Sequence, residues 1–468
     1  MRNLILDTDS YKASHSYQMP PGTTSMFSYL ESRGSRLYDK CIFFGLQYLL
    51  KEYLDWNRSG VLEPYVDEAA DFFAANGLPF PKEGWLRIAN DLKGKLPVRI
   101  RAVPEGTVVP LGNALMTIES TDPETFWVVN WLETMLVRLW YPITVATRSW
   151  YVKHDTIIPM LERTSDLKAS EAALFMLHDF GSRGSTSRES AAIGGASHLV
   201  NFRGSDTNVA VRLLNDYYQS DMAGFSIPAM EHSTVTSWGE ENEEAAYRNM
   251  LSQFGKPGAL VAFVSDSYDI YNAVDKIWGQ NMKQEVIDSG ATVVIRPDSG
   301  DPVHVVLYLL RSLANSFGYR TNDKGFSVLN NVRIIQGDGM DEDMVGRVLR
   351  QAALHRFSAE NMAFGMGGGL IQDLNRDTLQ FAFKCSSIMV DGQERDVYKR
   401  PVTDTGKSSK RGRLDLIHSL KVPRHFETQQ LRWGLEAFAG TAMRTVFENG
   451  EVVVDDTLDN IRERADRG

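Results

Sequence analysis

Along the middle of the chain one unit recurs: an apolar run, then a loop of Gly, Asp, Arg or His, then helix-like sequence. LFML precedes HDFGSRG (178–184), and HLVNF precedes RGSD (203–206). ALVAFV leads into SDSYD (265–269), ATVVI into RPDSG (296–300), NVRII into QGDG (336–339), and MAF into GMGGG (365–369). Apart from one step about twice as long, between 203 and 265, the polar loops fall roughly 25 to 40 residues apart, the length of one strand–loop–helix unit. Parallel α/β folds carry the loops that follow their strands on one face, where active sites are built. Asp179, Arg183, Asp206, Asp266, Arg296, Asp298, Asp338 and the glycines at 367–369 are therefore expected to meet.

The flanking sequence has a different rhythm. Residues 43–54 and 63–76 place apolar side chains at helical spacing, whereas 96–103 and 114–120 read as strands. Residues 121–141 read as one buried helix, with Thr121 or Asp122 as cap and Pro123 in its first turn. A hairpin is expected around ENGE (448–451). The C-terminal strands find no partners nearby, so they are expected to join the N-terminal segment. The fold predicted is α/β: an irregular TIM-like α/β barrel over 145–380, plus a discontinuous α+β domain from 1–144 with 381–468.

Composition narrows the function. A chain of 468 residues that is 43% apolar, with nine Trp, builds a large core. The net charge of −10 argues against a general nucleic-acid binder but leaves room for a locally positive pocket. Two cysteines, Cys41 and Cys385, give neither a disulfide framework nor a metal cluster, as suits a reducing cytosol. No signal peptide or membrane helix is read, so a cytoplasmic protein with no nucleic-acid or membrane partner is expected.

Several motifs fail on inspection. GKSS (406–409) is preceded by Pro401 where a P-loop needs Gly. GMGGGL (365–370) puts Leu370 at the last glycine of a dinucleotide fingerprint. HExxH, CxxC and GxSxG are missing. Other loops carry chemistry. GMGGGL offers bare backbone N–H groups for a phosphate, or else a tight strand–helix turn. QGDG sets Asp338 between two glycines, suited to a ribose diol or to a capped loop. IRPDSG presents Arg296 to an anion and Asp298 to hydroxyls or a positive sugar centre, unless the two form a structural pair. His232 in PAMEHST stands in a loop with Glu231 beside it and a carboxylate loop, SDSYD, further on; a carboxylate on one ring nitrogen frees the other. In HDFGSRG, Phe180 could stack on a flat ring while Arg183 meets charge.

Taken together, TDSYK, FGLQY, VPEG, NWLET, WYPITVATRS, LHDFGSRG, HLVNFRGSDT, PAMEHST, SDSYDIYNA, IRPDSG, QGDG, FGMGGGL, FKCS and KRGRL resemble the nicotinamide phosphoribosyltransferase family, in a bacterial or phage form. They run in order from residue 8 to 414. The resemblance implies synthesis of nicotinamide mononucleotide and pyrophosphate from nicotinamide and phosphoribosyl pyrophosphate, with Mg²⁺. It implies ATP as co-substrate through a phosphohistidine at His232, oriented by Asp266 with Glu231 as a further candidate. It puts the nicotinamide ring between Phe180 and Tyr11 of the partner subunit, with Arg183 lining the pocket and Asp206 accepting from the carboxamide. Asp298 and Asp338 would hold the ribose, and Arg296, Gly337, Gly367 and Gly368 the 5′-phosphate. Arg33, Arg376, Lys384 and Lys399 resemble the pyrophosphate set of a homodimer whose active sites lie at the subunit interface. The resemblance identifies no metal ligands. Nicotinate phosphoribosyltransferase is the alternative; a non-catalytic binding protein would show gaps in this set.

Overall fold

Val293, Ile295, Val332, Ile334 and Phe364 are fully buried, as in parallel strands covered on both faces. In the computed structural model, which describes residues 3–403, 408–419, 426–431, 434–435 and 437–468, they lie in one of two compact units. That unit comprises Arg148–Asn215 and Asp221–Asp373. The other comprises Met1–Thr147, Asp216–Ser220 and Leu374–Gly468. Gly406 and Lys407, of the rejected P-loop and the basic run, lie outside the described residues.

Six parallel strands form the first unit's sheet: β1 (Leu177–Asp179), β2 (Gly204–Ser205), β3 (Leu260–Val264), β4 (Thr292–Arg296), β5 (Val332–Gln336) and β6 (Met362–Met366). Their order is β2-β1-β6-β5-β4-β3. The two edges are joined by residues 225–230, which bridge in parallel to both: Phe225 to Gly204 of β2, and Ala229 to Ala262 of β3. The sheet is thus curled into the irregular α/β barrel that the repeating units predict. Ala262, Val294 and Ile335 fill its interior, with Phe180, Ile227 and Ala363 packed against them. Capped helices follow the strands. Asp301 accepts the His304 N–H at 2.8 Å to open Pro302–Phe317, and Asp341 does the same for Met344 at 2.8 Å to open Glu342–Leu354.

One predicted strand is absent. Of HLVNF, His198 ends the helix Arg188–His198, and the Asn201 and Phe202 N–H groups return to its carbonyl. The His198 and Phe202 rings stack at 5.0 Å. The run is apolar because this helix end is buried, and β2 begins only at Gly204.

The second unit holds a seven-stranded antiparallel sheet, ordered Gln393–Asp396, Phe381–Val390, Thr23–Ser32, Ala114–Ser120, Val98–Ala102, Arg444–Glu448 and Glu451–Val452. Strands from the two ends of the chain share it, as expected, and the hairpin at 448–451 closes it. Asn449 and Gly450, at φ 48° and 85°, make the mirror-type turn that matches strand twist. The single helix expected over 121–141 is not formed. Asp122 accepts from Thr125 N–H at 3.1 Å, from its hydroxyl at 2.8 Å and from Arg87 at 2.8 Å, which fixes a turn. Short helical pieces, Val128–Trp131 and Glu133–Leu136, follow it. Val128, Val129, Trp131, Leu132, Met135 and Leu136 are all buried, so no face pattern marked the breaks.

Candidate active site

Each chemistry-bearing loop of the barrel leaves the C-terminal end of a parallel strand. Phe180 follows β1, Asp206 β2, Asp266 β3, Asp298 β4, Gly337 and Asp338 β5, and Gly367 β6. Parallel strands in one sheet put all of these on one face.

His232 is the first residue of a short helix, His232–Thr236, not a loop residue. Its Nε2 lies 3.0 Å from Asp266 Oδ1, and its Nδ1 lies 4.0 Å from Asp298 Oδ2. Asp266 is nearly buried, at 4% side-chain exposure. Its other oxygen accepts the Asp298 N–H at 3.0 Å and the Ser299 hydroxyl at 2.6 Å. One carboxylate therefore orients both the imidazole and the strand end that carries Asp298. Arg296 reaches Asp298 at 3.7 Å, and its buried Nε has no protein partner. A buried guanidinium N–H left open in this way suits an incoming anion. Glu231 accepts the Ser233 hydroxyl.

Phe180 is held by geometry at glycines. A Cβ on Gly365 would fall 2.1 Å from the Phe180 ring, so the ring lies directly on β6 backbone. The Phe180 N–H donates to the Met366 carbonyl at 3.0 Å. A Cβ on Gly337 would lie 3.4 Å from Asp298 Oδ1 and 3.8 Å from Phe180, which puts ring, carboxylate and glycine loop side by side. Gly367 precedes the four-residue helix Gly368–Ile371. This loop is pinned by Arg148, which donates to the Gly369 carbonyl and, at 2.8 Å, to the Asp373 carbonyl.

Asp206 and Arg183 are exposed, as is Asp338. Asp206 accepts the Ser226 hydroxyl. Asp338 is steadied through its carbonyl, which accepts from Gln336 at 2.9 Å. Asp179 departs from the expected meeting of loop residues. It is fully buried, accepts the Gly181 N–H at 2.7 Å, and through its carbonyl accepts the Asp206 N–H at 3.0 Å. It ties two loops together from behind, and burial raises its carboxyl above the usual range.

In the second unit, Arg33, Arg376 and Lys399 all act electrostatically on Lys384, so the four predicted cations are gathered there. Burial lowers the Lys384 ammonium below its ordinary value; Glu133 opposes this, and the three neighbouring cations add to it. Arg33 Nε is buried without a partner. Glu133 also holds the buried Lys12 at 2.8 Å, and the Tyr11 ring, 60% exposed, meets His15 edge-on at 4.7 Å. Sequence reasoning missed Ser226, Ser299, Arg148 and Gly365. Gly365 stood in GMGGG, two residues before the glycines singled out, Ser299 in RPDSG and Arg148 in WYPITVATRS, whereas Ser226 carries no local signal.

The nicotinate phosphoribosyltransferase (NAPRTase) family model matches residues 175–451, and the nicotinamide phosphoribosyltransferase N-terminal domain matches residues 3–100. A nicotinamide phosphoribosyltransferase of Xanthomonas campestris pv. campestris is 53% identical over 99% of this chain and 98% of its own. The chain belongs to the nicotinamide phosphoribosyltransferase family. A second nicotinamide phosphoribosyltransferase, from Acinetobacter baylyi, is 31% identical over 97% of this chain and 95% of its own. Two solved structures share the fold. Nicotinate-nucleotide pyrophosphorylase from Pyrococcus furiosus has a TM-score of 0.61 at 14% identity, covering 99% of this chain and 95% of its own. Human nicotinic acid phosphoribosyltransferase has a TM-score of 0.57 at 17% identity, covering 98% of this chain and 93% of its own. As a member of this nicotinamide phosphoribosyltransferase family, the protein is an enzyme that transfers phosphoribosyl groups.

Proposed function

We propose that the enzyme joins nicotinamide to the phosphoribosyl group of phosphoribosyl pyrophosphate, in NAD salvage, and couples this to ATP through phosphorylated His232. The carrying observation is the triangle of His232, Asp266 and Asp298 beside Arg296 and Phe180. The pyridine nitrogen attacks the anomeric carbon, the carbon–oxygen bond to pyrophosphate breaks, and a C–N bond forms. Asp298 and Asp338 hold the ribose hydroxyls and favour the cationic sugar; preorganised charge of this kind is often worth several kcal/mol in a dry site. Arg296 with the Gly337, Gly367 and Gly368 backbones takes the 5′-phosphate. Phe180 stacks on the ring, Arg183 lines its pocket, and Asp206 accepts from the carboxamide.

With Nε2 committed to Asp266, Nδ1 of His232 is the free nucleophile. It takes the γ-phosphoryl group of ATP, forming an N–P bond as the P–O bond to ADP breaks, and water later removes the phosphate. Glu231 borders this step through Ser233. In our reading the enzyme works in the cytoplasm as a homodimer. Tyr11 of the partner subunit closes the ring slot, and Arg33, Arg376, Lys384 and Lys399 neutralise the pyrophosphate. Mg²⁺ enters with the polyphosphates. Among the described residues no group of three or more His, Cys, Asp or Glu side chains is arranged to hold a metal.

A nicotinate substrate would set its carboxylate against Asp206, which is why the amide is preferred. The test is a product assay with phosphoribosyl pyrophosphate and nicotinamide, nicotinate or quinolinate, with and without ATP. Nicotinamide mononucleotide, formed faster with ATP, is expected; dominant use of nicotinate overturns the assignment.

A further inference from the structure

We infer that Ser226 is a positioning residue for choice of the pyridine substituent. The inference rests on the reading of Asp206 as the acceptor for the carboxamide. Ser226 donates its hydroxyl proton to Asp206 Oδ1. That fixes the rotation of an otherwise exposed carboxylate and leaves Oδ2 open. A carboxylate so held presents one lone-pair direction to the ring slot, matched to one N–H donor.

The backbone makes this alignment. Residues 225–230 close the barrel, and Phe225 is bridged in parallel to Gly204. The Ser205 N–H donates to the Phe225 carbonyl at 3.1 Å, and the Phe225 N–H to the Arg203 carbonyl at 2.8 Å. Ser226, one residue past the bridge, and Asp206, two residues past it, are thereby brought within hydrogen-bonding reach of one another. One step along the same segment, Ile227 packs, as Phe180 does, against the interior cluster of Ala262, Val294 and Ile335. Because backbone bonds hold the segment, removing a single hydroxyl leaves its path intact.

Ser226 acts on nicotinamide and not on the pyrophosphate donor. In Ser226→Ala, Asp206 gains rotational freedom that binding of the amide must remove. A hydrogen bond to a charged group is worth enough to give about a tenfold loss. The expected result is a KM for nicotinamide raised about tenfold. The kcat and the KM for phosphoribosyl pyrophosphate should stay near wild type, and the preference for nicotinamide over nicotinate should fall accordingly. Ser226→Thr, which keeps the donor, restores the preference.

Asp206→Asn, measured in parallel, separates the inference from its premise. If Asp206→Asn lowers the preference but Ser226→Ala does not, Ser226 is not a positioning residue and the Asp206 reading stands. If Asp206→Asn leaves the preference unchanged, the premise fails and the inference falls with it. A Ser226→Ala enzyme that loses both substrates equally, unrescued by Thr, marks a merely structural role and also overturns it.

Discussion

Asp266 gives one oxygen to His232 Nε2 at 3.0 Å and the other to the backbone N–H of Asp298 at 3.0 Å. One side chain therefore serves His232 and Asp298 together, and the roles proposed for them should separate by mutation. His232→Ala is expected to abolish acid-labile phosphate on the protein and all stimulation by ATP, while slow synthesis continues. Asp266→Ala should do the same and also slow the ATP-independent reaction, by about tenfold or more, since a hydrogen bond to a charged group is lost. Equal ATP-independent rates in the two variants would contradict the second role. Phosphoenzyme measurement and initial rates with and without ATP make the comparison.

Gly365 tests the ring slot. A methyl group there would need the space 2.1 Å from the Phe180 ring, well inside any contact distance. Gly365→Ala is expected to displace the ring and raise the KM for the pyridine by about fivefold, since stacking contributes on the order of 1 kcal/mol beyond area burial. The KM for phosphoribosyl pyrophosphate should change much less. Steady-state kinetics with each substrate varied in turn decide it.

The cation cluster gives a pH signature. Lys384 is held below the ordinary lysine value by burial and by Lys399, Arg33 and Arg376, with Glu133 opposing. On the proposed reading its protonated form binds the anion, so affinity for phosphoribosyl pyrophosphate is expected to fall as pH rises through this lowered value. We expect its KM to climb at a pH below that of an unperturbed lysine. Glu133→Gln removes the opposing charge and should move the climb to lower pH. Lys384→Arg, always charged, should abolish it. A wild-type KM that stays flat across the alkaline range would remove Lys384 from the site.

How far the sequence sufficed depended on whether each feature was local. The β4 run is written in adjacent residues and was legible. So were the loops that deliver Phe180, Asp266 and Asp298. HLVNF misled because burial at a helix end and burial in a strand select the same residues. The turn that opens 121–141 is held by Arg87, far away in sequence, through Asp122. Ser226 could not be found because its meaning depends on a backbone bridge between Gly204 and Phe225. Asp179 looked like a site residue because an acid in a Gly loop after a strand reads the same whether it faces substrate or the core.

Glu105 offers a test of stability. It is buried, accepts the Gln47 N–H at 2.6 Å, and is pushed up to about 7, first by burial. A carboxyl whose folded value exceeds its unfolded one binds its proton more tightly when folded. Its stabilising contribution is full below the unfolded value near 4.5 and is lost as pH rises toward 7. Glu105→Gln stays neutral, so its Tm should exceed wild type above pH 7, by a margin that shrinks on acidification. The limit is about 3 kcal/mol, from the size of the shift. Thermal melts of both proteins from pH 5 to 8 check the sign; a margin that grows toward acid refutes it.

The strand Thr23–Ser32 lies between Ala114–Ser120 and Phe381–Val390. During synthesis it leaves the ribosome early, yet one of its two edges waits for a partner translated after the entire barrel. The nascent polypeptide must therefore carry an open, aggregation-prone edge while the barrel segment emerges and folds. Ribosome-bound intermediates stalled before residue 381 should depend on chaperones in a way that the released protein does not.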